Sequence, residues 1–591
     1  MGIFDMKFFR FLGFKKKPNA PWSKYYKKEE MNLKIPDISL YQYFKEHSLD
    51  IPNVNAFDYF GKKMTHSELL NKVDECAKSF LSYGIRHGDV VTICMPNTPE
   101  GVISVLALNK IGAVANMLHP LSSENEIKNT LVETGSVMLV VIDVAYSKLK
   151  NIIDDTDVYK IIVVKANNSM PLIMNIGYEL IRGYKTRLSK YDNKYIFWKD
   201  FINNGRNYKK NNYEYKSKKD DPAVMLHSGG TTGNPKAIVL SNSNFIALVE
   251  QAKIVFKDLK KKDKCLSIMP IFHGFGLGVC VYTPLCLGVE CILIPQFKAK
   301  EFGSILNKHR PEFVIGVPTL FEAMLKTPKE KADKFKLHYI KYVISGGDSL
   351  KPSLEKEINK FLKEHGSNIK IIQGYGMSES LAAVCLDFKS NPKSGSIGIP
   401  FPGCYIGIFS PEDKEVPYGC EGEICISGPN VMLGYYNNEK ETNLALHIHD
   451  DGNIWLHSGD LGIMDSDGVI KYTSRLKRLI VSSGYNIYPN QIEAILEKHE
   501  AVMICSVIAV PHKYKGEIAK AFIVLNPGFK ESDKLINELK ELCKKNLPKY
   551  SLPYEYEFRK SLPRTIVGKV DFRKLQIENN EKRMSELNEK K

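Results

Sequence analysis

The sequence predicts an α/β protein: a large N-terminal domain of helix-covered mixed sheets, then a small α+β domain at the C-terminal end. Three observations predict it. At 591 residues the chain is too long for one hydrophobic core and divides into at least two domains. From Met64, amphipathic stretches alternate with short, continuous apolar runs, the pattern of a parallel sheet covered by helices. Residues 477–591 then run strand and helix again over a shorter length.

Composition narrows the class. Hydrophobic residues make up 43% and aromatic residues 10%, enough to fill cores and to exclude wholesale disorder. The 12 cysteines include no CxxC pair, which points to reduced, mostly buried thiols in a cytoplasmic protein rather than a disulfide frame or zinc site. A net charge of +16 suits nucleic acid, an anionic membrane surface or polyanionic small molecules. No nucleic-acid-binding signature accompanies the scattered lysines, so no nucleic acid partner is expected. The most apolar long run, 271–295, holds His273, Pro284 and Glu290 and reads as buried strand and helix rather than a membrane span. The start is aromatic and basic, without the aliphatic stretch or cleavage site of a signal peptide.

Residues 1–36 form a basic, aromatic extension. Phe4, Phe8, Phe11 and Leu12 share one helical face and Lys15, Lys16 and Lys17 follow, so residues 1–17 suit peripheral contact with the inner face of an anionic membrane. The alternative is an extension packed on the body. Met6 stands where N-myristoylation needs Ser or Thr. Residues 37–476 make the large domain. In it, Ser67 to about Leu81 is an amphipathic helix, 90–95 a buried strand, Pro99 to Leu108 a helix, and 113–118 and 137–142 further strands. From about 165 to 220 the rhythm breaks into a basic, tyrosine-rich insertion containing Met170-Pro171-Leu172-Ile173-Met174. A solvated linker is the default reading there; a second membrane or acyl-chain contact is the alternative. The charged tail beyond Gln576 is expected to fray.

The stretch 223–240 reads as apolar strand, small hydroxyl-and-glycine loop and apolar strand, before a helix N-cap at Ser241 or Asn242. Glycine lets backbone N–H groups converge on an anion, and Ser228, Thr231 and Thr232 add donors, so the loop suits a polyphosphate. It is not the Walker pattern, because Asn234-Pro235 precede Lys236 and Ala237 follows it. Further on, Gly374-Tyr375-Gly376-Met377-Ser378-Glu379 offers an aromatic face, a hydroxyl and a carboxylate able to hold Mg²⁺. The carboxylate of Asp460, after a glycine turn, can accept both hydroxyls of a ribose.

These segments, with 270–277, 314–320, 343–350, 422–436, 472–489 and 562–573 in the same order, resemble the adenylate-forming (AMP-binding) superfamily of acyl-CoA synthetases. The wording is closest to long- or medium-chain fatty acid–CoA ligases, and the resemblance covers about Thr65 to Leu575. It implies ATP, Mg²⁺ and coenzyme A, a carboxylic acid substrate, and a mobile C-terminal domain. By resemblance Ser228, Gly229, Gly230, Thr231, Thr232, Gly233 and Lys236 hold the phosphates, and Glu379 with Thr231 carries the metal. Gly346 and Gly347 lie against the adenine beside Gly374, Tyr375, Gly376 and Ser378, with Tyr375 stacking on the base. His273 lies by the acid's carboxylate, Asp460 takes the ribose, Arg475 reaches the nucleotide, Lys477 is the domain pivot, and Lys569 meets the α-phosphate. The acyl pocket falls between about Phe245 and Val384. Ser378 stands for a usual Thr, Ser474 for a frequent Gly, and Arg478 for a frequent acid. Alternatives are loading of an acyl carrier protein, an aryl acid, or a basic membrane-binding protein that has lost catalysis.

Overall fold

The computed structural model describes residues 3, 6, 8–11, 13–149, 151–182, 193–209, 213–228, 235–298, 301–332, 335–387, 393–483, 485–512, 514–564 and 570–589. Packing divides the chain into two compact units. The first is Met1–Ile406, Cys425–Leu456 and Asp467–Val469; the second is Gly407–Ile424, His457–Ser466 and Ile470–Lys591. The sequence reading draws the line after Leu476. The packing carries 457–466 and 470–476 with the C-terminal part because these segments are two arms of one antiparallel ladder, with Asp460 opposite Arg475 and Met464 opposite Ile470.

The first unit holds two mixed sheets. One runs, in spatial order, through Gly434–Tyr435, Ala237–Ser241, Pro222–His227, Val114–Met117, Val90–Cys94, Met138–Ile142, Lys160–Val164 and Tyr195–Phe197. Its centre is parallel, and antiparallel pairing begins where Pro222–His227 turns back into Ala237–Ser241. The other sheet is parallel from Ile371–Tyr375 across to Asn55–Tyr59 and antiparallel at both rims. Strands such as Val90–Cys94 and Met138–Ile142 are buried at every residue, which is why they read as unbroken apolar runs. Helices Pro99–Lys110 and Asn242–Val255 are buried almost all round. A polar knot fastens them: Asn242 Oδ1 accepts from Leu40 N at 2.9 Å and from Asn109 Nδ2 at 2.8 Å.

Two expectations change here. The described residues 8–11 form no helix: Ile3 is buried, and with Met6 and Phe8 it packs on Val90, Val114 and Val239, while Phe9 N donates to Leu433 O at 3.0 Å. The extension therefore packs on the body. The 165–220 stretch is built rather than merely solvated. Tyr195–Phe197 adds a parallel edge strand beside Lys160–Val164, and Phe201 of helix Trp198–Gly205 meets Phe80 edge-on at 5.1 Å.

The second unit is α+β. Strand Gly516–Leu525 pairs with Val502–His512, Ile480–Ser482 and Glu555–Phe558. Residues alternate along it: Ala519, Ala521 and Ile523 join the core of helices Pro489–Leu496 and Asp533–Asn546, while Ile518, Phe522 and Val524 join Leu575. The tail does not fray after Gln576. Helix Phe572–Glu589 continues because Asn579 accepts from Lys520 Nζ at 2.8 Å and Arg583 and Glu578 pair with Glu555 and Arg559. Among the described residues no helix is long and apolar enough to cross a membrane. All cysteines but Cys420 are buried, and burial pushes the Cys94 thiol up to about 12.

Burial also pushes the imidazoles of His66 and His227 down to about 4. Both are neutral in the folded chain, whereas the unfolded chain protonates near pH 6.5. Between those values the unfolded state binds more protons, so stability falls as pH drops; each group costs roughly 2 kcal/mol by about pH 5. His66→Asn should remove roughly that amount from the difference in urea-unfolding free energy between about pH 7 and pH 5. An unchanged difference would contradict a buried, neutral imidazole.

Candidate active site

The hairpin of Pro222–His227 and Ala237–Ser241 presents its glycine-rich loop from a rigid base. His227 sits opposite Ala237, Ser228 N donates to Lys236 O at 3.1 Å, and Lys236 N donates to Ser228 Oγ at 3.2 Å. Gly229, Gly230, Thr231, Thr232 and Gly233 lie outside the described residues. Below the loop, His227 Nε2 donates to Asn116 Oδ1 at 2.7 Å, and Asn116 Nδ2 donates to Thr92 Oγ1 at 2.8 Å. The neutral His227 adds no charge to the loop, so the described cation there is Lys236. Ser241 caps the helix that follows, accepting from Asn244 N.

Lys236 is held from two sides. Its ammonium contacts the Glu441 carboxylate and lies 4.7 Å from the Tyr435 ring centroid. Tyr435 hydroxyl donates to Glu379 Oε1 at 3.0 Å. Burial, and then the Glu379 charge, raise the phenol well above its ordinary value, so it stays a donor. Glu379 is 8% exposed. Oxygen donors in a buried, anionic setting fit a hard divalent cation such as Mg²⁺. The strand Gly434–Tyr435 explains how Tyr435 arrives: it pairs with Val239 and Ile238, and Met432 N donates to Glu379 O at 2.8 Å. Tyr435 falls in a block the sequence reading treats as structural, and Glu441 is absent from that reading. Their signal is spatial only, since Glu441 lies 205 residues from Lys236, with Tyr435 close to Glu441 in the chain.

Three more glycine turns meet at this place. A Cβ on Gly274, next to the half-buried His273, would lie 3.3 Å from Leu226 and 3.5 Å from the Leu381 backbone. A Cβ on Gly346 would lie 3.0 Å from the Phe275 ring. One on Gly376 would meet Ala382 O at 2.2 Å, beside Leu381 and Ala382, whose φ angles are +51° and +72°. The structure thus gathers the segments around Ser228, His273, Gly346 and Glu379. A cavity is lined by Gly346, Gly347, Gly374 and Tyr375 on one part and by Leu248, Phe256, Val279, Leu386 and Phe401 on another. Its wall runs past Val384 to Cys385, Leu386 and Phe401. Ser378 opens a short turn with Glu379.

Asp460 and Arg475 belong to the second unit. They face each other across antiparallel strands, Arg475 Nε donates to Asp460 Oδ1 at 2.8 Å, and Asp460 is 4% exposed. Lys477 is exposed on the turn Leu476–Arg478. Arg478 contacts Glu493, donates to Asn490 Oδ1 at 2.8 Å and lies 4.9 Å from the Phe572 ring, so its departure from an acid serves packing within this unit. Lys569 lies outside the described residues; the bridge Arg564↔Val570 closes the segment that contains it.

A family model described as AMP-binding enzyme matches residues 44–436, and one described as AMP-binding enzyme C-terminal domain matches 491–569. The chain is 33% identical over 573 residues to a long-chain-fatty-acid–CoA ligase of Bacillus subtilis, covering 95% of this chain and 98% of that protein. It is 30% identical over 527 residues to one of Haemophilus influenzae, covering 87% and 90%. Among solved structures, an ATP-bound RpMatB-BxBclM chimera superposes with a TM-score of 0.79 at 24% identity over 91% of this chain and 98% of that one. The anthranilate CoA ligase AuaEII with anthranoyl-AMP gives 0.77 at 22% over 93% and 98%. At these identities the solved structures speak to the fold.

The glycines give a graded test. A Cβ on Gly276 would fall 2.0 Å from Pro270 O, a backbone atom that cannot swing away, whereas that on Gly346 meets only a ring edge at 3.0 Å. Gly276→Ala should cost about 2–3 kcal/mol in urea unfolding and Gly346→Ala under about 1 kcal/mol. Equal costs would overturn the close approach at Gly276.

Proposed function

The chain belongs to the AMP-binding enzyme family, and from that premise we propose that it is an AMP-forming fatty acid–CoA ligase. A carboxylate oxygen of the acid attacks the α-phosphorus of ATP; the bond to pyrophosphate breaks and an acyl-AMP forms. The thiol of coenzyme A, losing its proton, then attacks the acyl carbon and AMP leaves. The observation that carries the fatty-acid reading is the cavity: turns assigned to the nucleotide share it with walls of hydrocarbon. Thr283 and Tyr375 bring the side-chain hydroxyls to that lining, so an alkyl chain suits it better than an acid with a second charge. The names of the curated relatives support the same substrate class.

Both reactants are anions, so the site works by supplying fixed donors and positive charge. The loop from Ser228 through Thr231, Thr232 and Gly233 to Lys236 takes the phosphates, Tyr375 and the Gly346-Gly347 turn take the base, and His273 shapes the carboxylate end. Glu379, oriented by Tyr435, and Thr231 would hold Mg²⁺, whose charge would offset that of the triphosphate. Asp460, oriented by Arg475, takes the ribose; Lys569 serves the α-phosphate during adenylation; and Lys477 is the pivot that exchanges Lys569 for the thiol path. The acceptor is CoA rather than a carrier protein. Of the described residues of 1–17, Ile3 is buried against the first unit while Arg10, Lys15, Lys16 and Lys17 are exposed, so a peripheral membrane contact through this stretch would rest on its basic residues.

AMP formation with Mg²⁺, ATP and CoA, measured over straight-chain acids from acetate to stearate and over benzoate, should peak among the longer chains. A preference for benzoate, or product without CoA, would refute the assignment. Lys569→Ala should slow adenylation by ~10²–10³ while preformed acyl-AMP still reacts with CoA. Equal loss in both half-reactions would contradict the role given to Lys569.

A further inference from the structure

We propose that Glu423 is a positioning residue for the nucleotide, holding the turn that aims Asp460 at the ribose. The inference rests on the reading of Asp460 as the ribose acceptor. Within the second unit Asp460 stands mid-strand, and Gly459, the residue before it, takes φ +70°. A left-handed glycine inside a strand interrupts the alternation of side chains and re-aims the one that follows. Such a break has to be held, because the backbone donors beside it no longer follow the regular ladder. Here the holder is a side chain: Gly459 N donates to Glu423 Oε1 at 2.8 Å.

The carboxylate works at both oxygens. Glu423 Oε2 lies 2.8 Å from His457 Nδ1, and since an ionised carboxylate only accepts, Nδ1 carries the proton. The other ring nitrogen, Nε2, lies 3.5 Å from Asp413 Oδ1. Glu423 therefore grips the residues on either side of Ser458. Ser458 is fixed as well: its Oγ donates to Ile424 O at 2.5 Å and accepts from Asp460 N at 3.0 Å. An acid suits this place better than an amide, because two N–H donors converge on it and hydrogen bonds to an ionised acceptor are the stronger ones. Arg475 Nε holds the Asp460 carboxylate itself at 2.8 Å, whereas Glu423 holds the backbone that carries it.

The test is isothermal titration of the full chain with ATP and with 2′-deoxy-ATP, each with Mg²⁺ and without an acid substrate. The wild type should bind ATP at least about tenfold tighter, the usual cost of losing a hydrogen bond to a charged acceptor. Glu423→Leu should bring that preference below about threefold, while Glu423→Gln, whose amide oxygen still accepts from Gly459 N, should keep most of it. A loss of folded protein lowers the number of sites and leaves the ratio of Kd values alone. Gly459→Val probes the same turn without touching Glu423. A Cβ there would meet nothing within 4 Å, but a β-branched residue does not hold φ +70°, so the preference should fall as with Leu. A Leu or Val variant with undiminished preference, or a Gln variant as damaged as the Leu one, would overturn the proposal and leave Asp460 its role. Wild-type protein that binds both nucleotides equally, or neither, would overturn the reading of Asp460 and the proposal with it.

Discussion

The polar architecture of the first unit hangs on the strand Ala237–Ser241 and the cap that ends it. On one edge the strand pairs with Pro222–His227, which fixes the two ends of the phosphate-type loop. On the other it pairs with Gly434–Tyr435, which sets Tyr435 against Glu379. At its end Ser241 caps a helix whose Asn242 and Asn244 are buried and busy: Asn242 receives Leu40 and Asn109, and Asn244 Nδ2 donates to Pro429 O at 2.7 Å and Val431 O at 2.9 Å. Buried carboxamides are costly unless satisfied, so these bonds specify one register for three distant segments at once. A slip of one residue would turn every strand side chain to the other face and break all of them.

How much of this the chain spells out depends on the range of the force. Buried strands were legible because burial on both faces makes an apolar run that nothing else in the sequence imitates, as at Val90–Cys94 and Met138–Ile142. The Ser241 cap was legible because its bond to Asn244 is local. For residues 1–17 the spacing of Phe4, Phe8 and Phe11 fits a period of 3.6 and leaves a membrane face and a packed extension both open; it does not reveal that Ile3, Met6 and Phe8 pack on Val90, Val114 and Val239. The tail past Gln576 looked frayed since it has no apolar stripe; Lys520, Glu555 and Arg559 hold it instead, by ion pairs and a hydrogen bond to Asn579.

The candidate site divides the same way. Lys236 and Glu379 could be picked from short motifs, whereas of the residues that orient them Tyr435 stands in a block that reads as structural and Glu441 lies outside every motif. Arg478 teaches the converse: a residue that departs from the family wording acquires partners, Glu493 and Asn490, that lie close in sequence but need the folded turn to reach it.

The Lys236–Glu441 contact bears on how the proposed reaction begins. A triphosphate arriving at the loop must draw Lys236 away from a carboxylate. Both side chains are a quarter to a third exposed (23% and 33%), and ion pairs so placed contribute at most about 1 kcal/mol. Several phosphate oxygens attract the ammonium more strongly than one carboxylate near water does. The exchange therefore runs toward the nucleotide. Until then Glu441 and the Tyr435 ring keep the lysine from wandering, and part of the ordering cost of binding is met before ATP arrives.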